Sequence, residues 1–321
     1  VPNATGPFGL DILLKRAVAP YTPTVLKTRT EPPFWIAVYR RHDGLKEQGV
    51  DGTWDPLGDS VYTHGLWDMH DTDIFYKVLK NQCNSGKGLV VDVGGHCGYF
   101  TILAAMQGCR VHVWEGSPRH ATMIHMNVWL NGLNDRVVVH NNICGTGSGP
   151  LVFSGHGMEG HVSGSYARSD NPDFQKELGT EYAKNVQREQ ATGLRVYPLA
   201  IDDVVDEEVI LMKVDVEGYE PHVFNSARRL FQRGMVQYVI FEYNMWRAMN
   251  IEEGVKLIMD FIDWGYTVST VPVAKCKIEH FTTADEVVQL SRKLRERTDI
   301  CHQYAINMLA TRRDMPRLLT A

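Results

Sequence analysis

The residues of this 321-residue chain best suited to chemistry fall in two short stretches. The first is Val91-Asp92-Val93-Gly94-Gly95-His96-Cys97-Gly98-Tyr99-Phe100. Its glycines stand where a β-branched run gives way to a helical pattern, and without a Cβ a ligand can approach the main chain closely. Glu115 follows Asp92 by 23 residues, the place for an acid that accepts hydrogen bonds from ribose hydroxyls. Glycine loop and acid together predict a nucleoside ligand. The second stretch is Lys213-Val214-Asp215-Val216-Glu217-Gly218-Tyr219-Glu220, with Glu242 further along. Carboxylates at strand ends are suited to removing a proton from a hydroxyl.

The loop chemistry selects among nucleosides. A dinucleotide loop reads G-x-G-x-x-G and receives a pyrophosphate at the helix N-terminus. Here the glycines are 94, 95 and 98, and His96 stands where the second glycine belongs. The carboxylate of Asp92 would repel a pyrophosphate but suits a ligand carrying ammonium and sulfonium charges. S-adenosyl-L-methionine is therefore favoured over a nicotinamide cofactor. A turn that binds nothing is disfavoured, because Glu115 lies in register with the loop. No G-x-x-x-x-G-K-[ST] phosphate loop, G-x-S-x-G elbow or H-E-x-x-H helix occurs.

These residues need a frame. Strands are expected at 34–39, 89–93, 110–115, 136–140, 209–215, 236–241, 266–273 and 304–309. Helices are expected at 71–80, 100–106, after the Ser117-Pro118 start, at 221–231, and after the capping boxes Asn250/Glu253 and Thr283/Glu286. Strands alternating with helices predict an α/β fold with a mainly parallel sheet covered on both faces. Residues 1–80 read as an N-terminal arm with a strand and helix extension, irregular up to 33 and turn-rich from 42 to 58. Residues 81–321 read as the main domain, interrupted by a Gly-, Ser- and charge-rich insertion at about 145–193. His156 and His161 in that insertion read as solvated, and Trp67 as packing or as a wall of the ligand pocket.

Composition narrows the classes. Hydrophobic residues make up 44% and charged residues 22%, an ordinary globular balance. The net charge of -5 gives no electrostatic reason to expect nucleic-acid binding. No run of apolar residues is long enough to span a membrane. The basic residues Lys293, Arg295, Arg297, Arg312, Arg313 and Arg317 read as a solvated face. Six cysteines form no C-x-x-C pair, so buried free thiols are the default expectation. The start at Val1 rather than Met is expected of a chain that has lost a targeting segment. The compartment stays open between the cytoplasm and the lumen of the secretory pathway.

With these motifs in view, the chain resembles the FkbM-type methyltransferases over roughly residues 60–270. The resemblance rests on the Asp92–Phe100 motif, on Trp114-Glu115, and on Lys213–Glu220. It implies a Rossmann-like class I methyltransferase fold with a seven-stranded sheet whose last strand is antiparallel. It implies S-adenosyl-L-methionine as cofactor, held by Asp92, Gly94, Gly95, His96, Gly98 and Tyr99, with Glu115 on the ribose and Asn141 and Asn142 at the adenine. It also implies methylation of a hydroxyl on a small molecule, sugar or glycan. Asp215 is the expected base, with Glu217 and Glu242 completing the catalytic group and His222 a weaker candidate. Asp215 and Glu242 could together offer oxygens to a divalent cation, a reading not favoured because Glu242 can face the substrate instead. Lys213 is expected to pair with a carboxylate. The alternatives are an NAD-dependent oxidoreductase and a non-catalytic binding protein on the same sheet.

Overall fold

Short β-branched runs bounded by glycine and capped helices set the architecture. A computed structural model of the chain describes residues 23–39, 55–80, 82–83, 86–154, 161–162, 193–245, 249–273, 276–296 and 305–319. The N-terminal part opens with an antiparallel hairpin, β1 (Pro23–Lys27) and β2 (Trp35–Tyr39). Helices α1 (Pro56–His64) and α2 (Met69–Leu79) follow. Two expectations are corrected here. Residues 23–27 are a strand rather than irregular arm, and Pro56–Gly58 begin a helix rather than close a turn. β1 has only one half-buried face and is fixed by pairing with β2, which no local pattern announces.

The main domain continues with β3 (Leu89–Val93), α3 (Tyr99–Met106), β4 (Arg110–Trp114), α4 (Pro118–Leu130) and β5 (Val137–His140). Short strands come next: β6 (Ile143–Cys144), β7 (Leu151–Ser154), β8 (His161–Val162), β9 (Leu194–Val196) and β10 (Pro198–Leu199). The chain then returns through β11 (Val209–Val214), α5 (Glu220–Ser226), α6 (Arg228–Gln232) and β12 (Val236–Asn244). It ends with α7 (Ile251–Asp263), β13 (Tyr266–Thr270), β14 (His280–Phe281), α8 (Ala284–Arg295) and β15 (Ala305–Arg312).

The central sheet has the order β14-β13-β15-β12-β11-β3-β4-β5. From β5 to β12 all neighbours are parallel, and β15 is antiparallel to both β12 and β13. The expected seven strands and antiparallel last strand are present, and β14 adds an eighth at the edge. Within the expected insertion, β7 is the middle strand of a small antiparallel sheet with β8 and β9. His156 lies outside the described residues.

Alternation along the strands feeds two cores. Leu89, Val91 and Val93 point to one face with Phe224, Phe231, Phe241 and Phe261. Val90 points to the other, where Phe34, Ile36, Val61, Ile74 and Phe75 pack. The N-terminal hairpin and helices thus share a core with the sheet. The expected helix at 221–231 is broken at Ala227 into α5 and α6. Asp202, from the 3-10 helix Ile201–Asp203, accepts hydrogen bonds from Arg229 N and Leu230 N and caps the second piece. Cys83 and Cys109 form a disulfide and Cys276 is also disulfide-bonded, correcting the expectation of free thiols for these three. Cys97 and Cys144 are free and buried.

Candidate active site

The chain leaves β3 toward β4 on one side and returns through β11 on the other, so the strand order reverses between β3 and β11. In open α/β sheets, ligands bind outside the carboxyl ends of the strands at such a point. Both motifs meet there: Asp215 N donates to Val93 O at 3.0 Å. Gly94 has φ 83°, and a Cβ on it would lie 1.8 Å from Asp215 O, so only glycine fits this approach. His96 and Glu217 also have positive φ, at 51° and 53°. Such strain in non-glycine residues clusters at functional loops. Gly98 starts α3 with φ 85°, and a Cβ there would crowd Ile124 of α4.

Asp92 is 1% exposed. Its Oδ2 accepts a hydrogen bond from Thr101 Oγ1 at 2.6 Å, and its buried Oδ1 has no hydrogen-bond partner among the described residues. Burial raises its pKa against the opposing pull of Lys213 and Thr101. Lys213 is buried, with Nζ 3.0 Å from Asp215 Oδ2 and 5.0 Å from the Phe100 ring centre. Burial works against its charge, but Asp215, Asp92 and Asp71 outweigh it and raise its pKa. Asp71 is buried on α2 and accepts from Asn307 Nδ2 of β15 at 3.0 Å. The ammonium of Lys213 thus stands among three carboxylates.

Glu115 is tied to the glycine loop. Its Oε2 accepts from His96 N at 2.8 Å and its Oε1 from Ser117 N at 2.7 Å. Each carboxylate oxygen keeps a further lone pair for a ligand hydroxyl. His120 Nδ1 lies 3.8 Å from Glu115 Oε1, and the His96 and His120 rings meet edge-on at 4.4 Å. Below the second motif, Glu220 is fully buried, and its Oε1 accepts from Val216 N and Gly218 N, both at 3.2 Å. Burial pushes its pKa up to about 7 despite these amides. Burial, then the charges of Glu217, Asp215 and Glu220, also raise that of Glu242.

These groups surround one cavity of about 310 Å³, within the usual range for small-molecule sites. Of the expected residues, Asp92, Gly94, Gly95, His96, Tyr99, Glu115, Asn142, Asp215 and Glu217 line it, as do Trp67 and Lys213. Gly98, Asn141, Glu242 and His222 are not among its lining residues. Gly98 serves helix packing, and Asn141 Nδ2 donates to Glu115 O at 2.8 Å. Glu242 lies outside the lining but near enough to Glu217, Asp215 and Glu220 for their charges to act on it, and His222 stacks on Tyr219 at 4.2 Å. The sequence reading missed Asp55, Leu57, His120 and Phe153, which also line the cavity. Only Asp55-Pro56 carried a local signal, that of an N-cap followed by proline at the first helical position. Among the described residues, no three His, Cys, Asp or Glu side chains gather to hold a metal ion. No helix among them is long and apolar enough to cross a membrane.

The sheet order, its antiparallel last strand, and a glycine loop bonded to an acid at the end of the neighbouring strand define a class I methyltransferase fold. The Methyltransferase FkbM domain matches residues 92–268, more than half of the chain, and the chain belongs to that family. No curated protein sequence matches it. Among solved structures it is similar to methyltransferase FkbM from Methylobacillus flagellatus, at 13% identity and a TM-score of 0.37, over 70% of this chain and 44% of that one. It is also similar to precorrin-6y C5,15-methyltransferase from Geobacter metallireducens, at 11% identity and a TM-score of 0.37, over 75% and 87%. An O-methyltransferase from Bacillus cereus, in complex with SAH, matches at 15% identity and a TM-score of 0.33, over 86% and 94%.

Proposed function

We propose that the cavity binds S-adenosyl-L-methionine and that the chain methylates a hydroxyl on a small molecule, sugar or glycan. The observation that carries this reading is the buried Oδ1 of Asp92 beside the glycine loop, which has no hydrogen-bond donor among the described residues. A buried acceptor without a donor is costly to leave unmatched, and a cationic ligand supplies what it lacks. When bound, the cofactor supplies an electrophilic methyl group on a sulfonium. Asp92 and the Gly94–His96 backbone would hold its amino-acid end, Glu115 its ribose, and Asn142 with Ile143 its base.

Asp215 is the group we assign to the acceptor. Its side chain is 47% exposed at the cavity, where an incoming hydroxyl can reach it. Lys213 Nζ donates to its Oδ2 at 3.0 Å and fixes its orientation. Positioning of the hydroxyl contributes more than proton removal, about 7–11 kcal/mol against a ~10²–10⁴-fold effect. Glu217 shapes the same wall, and Glu242, its pKa raised by burial, adds a carboxyl group near Glu217 and Asp215. Trp67 and Tyr219 line the cavity together with Asp215 and Glu217, and aromatic rings combined with carboxylates suit a sugar. The Cys83–Cys109 disulfide supports an oxidising compartment such as the secretory lumen over the cytoplasm.

Calorimetric titration with S-adenosylhomocysteine and with NAD tests the cofactor. Binding of the former is expected, and tight binding of NAD alone would overturn the reading. For the acceptor, a screen of hydroxylated compounds with labelled methyl donor identifies the substrate. On that substrate, Asp215→Asn is expected to lower kcat by ~10²–10⁴ while leaving S-adenosylhomocysteine affinity within a few-fold. Unchanged kcat would remove Asp215 from the chemistry.

A further inference from the structure

The family match begins at residue 92, yet part of the cavity wall comes from earlier in the chain. Asp55 caps α1 by accepting from Leu57 N through Oδ1 at 3.1 Å. Capping uses one carboxylate oxygen. The other, Oδ2, is buried and has no hydrogen-bond partner, although the whole residue is 0% exposed and lines the cavity. On the helix side Oδ2 is closed off by Gly58, where an added Cβ would lie 3.1 Å away. Among the described residues this buried oxygen has no hydrogen-bond partner, and a donor on a ligand would match it.

The position of Asp55 indicates which donor. An added Cβ at Gly58 would meet both Asp55 Oδ2 and Tyr39 O, and the Tyr39 ring lies 6.1 Å from that of His120. His120 in turn lies 3.8 Å from Glu115, the acid expected at the ribose. Asp55, His120 and Glu115 all line the cavity, and this chain of neighbours ties Asp55 to Glu115. Asp92, Asp71 and Asp215 are grouped instead around Lys213. We propose that Asp55 is a second ribose-binding acid, its Oδ2 accepting a hydrogen bond from a hydroxyl of the nucleoside's vicinal diol. The inference rests on the nucleoside reading given above and extends the binding site beyond the family domain.

The test is a set of binding titrations of the full chain with S-adenosylhomocysteine and its 2′-deoxy and 3′-deoxy analogues. Asp55→Asn keeps the capping oxygen and puts an NH₂ donor where Oδ2 was. Asp55→Ser keeps a capping hydroxyl and removes the second oxygen, and serves if the first variant fails to fold. At least a tenfold loss of S-adenosylhomocysteine affinity is expected in the variant. Deleting one of the two ribose hydroxyls should weaken binding to the wild-type chain but cost the variant nothing further. If the variant binds as tightly as wild type, or if each hydroxyl deletion costs both proteins the same, the assignment is overturned while the methyl-donor reading stands. If the wild-type chain does not bind S-adenosylhomocysteine at all, that reading falls and the assignment falls with it.

Discussion

Lys213 is the residue on which the electrostatics of the site depend. It is the cation shared by Asp71, Asp92 and Asp215, of which the first two are buried. Removing one partner of a buried ion pair leaves an uncompensated charge, at about 3–5 kcal/mol. Lys213→Met is accordingly expected to destabilise the fold by that amount in urea unfolding at pH 7.5. Adding Asp71→Asn should recover part of the loss, and a strictly additive double variant would show that the two do not interact. Much at this scale was legible in the sequence. Asp92, Glu115 and Asp215 were found from type and spacing because strand ends and glycine turns obey local rules. Asp55 and His120 were not, since what makes them part of the site is the packing of α1 and α4 around a cavity.

At the scale of elements, the segment between β11 and α5 is shaped from beneath by Glu220, whose carboxylate binds two of its amides. Burial raises the Glu220 pKa to about 7 from an ordinary 4.5, so the folded state binds a proton there that the unfolded chain has released. This contribution to stability is complete below about pH 4.5 and lost as pH rises through 7. Asp55, also raised to about 7 by burial, acts in the same direction. Glu220→Gln should therefore gain on wild type in thermal unfolding between pH 5 and pH 8. A stability difference that stays constant over that window would contradict the proposed origin. Elements were legible where their signals are local, as with both capping boxes and the Ser117-Pro118 start. They were illegible where a distant side chain decides. Asp202 splits the helix after Ala227, and β1 takes its form from β2.

Across the whole molecule, contacts between distant parts of the chain hold the site together. The disulfide from Cys83 to Cys109 joins the segment between α2 and β3 to the residue just before β4 and closes a 26-residue separation. Loop-closure entropy puts its contribution at roughly 3 kcal/mol. Reduction, or a Cys83→Ser/Cys109→Ser double variant, should lower Tm by several degrees. No change would show that the bridge constrains the unfolded chain less than its length implies. The fold class followed from alternation of strands and helices, but the sheet order did not follow from that pattern. The slot for the last strand, in particular, is invisible in the sequence. β15 is inserted between β12 and β13, and its Asn307 reaches back to Asp71 on α2. On the ribosome, β12 and β13 therefore emerge before the strand that belongs between them. Until residues 305–312 arrive, the nascent sheet carries two unsealed edges and Asp71 lacks its amide partner. The growing polypeptide must be kept from self-association until residues 305–312 have emerged, because only then are the facing edges of β12 and β13 sealed.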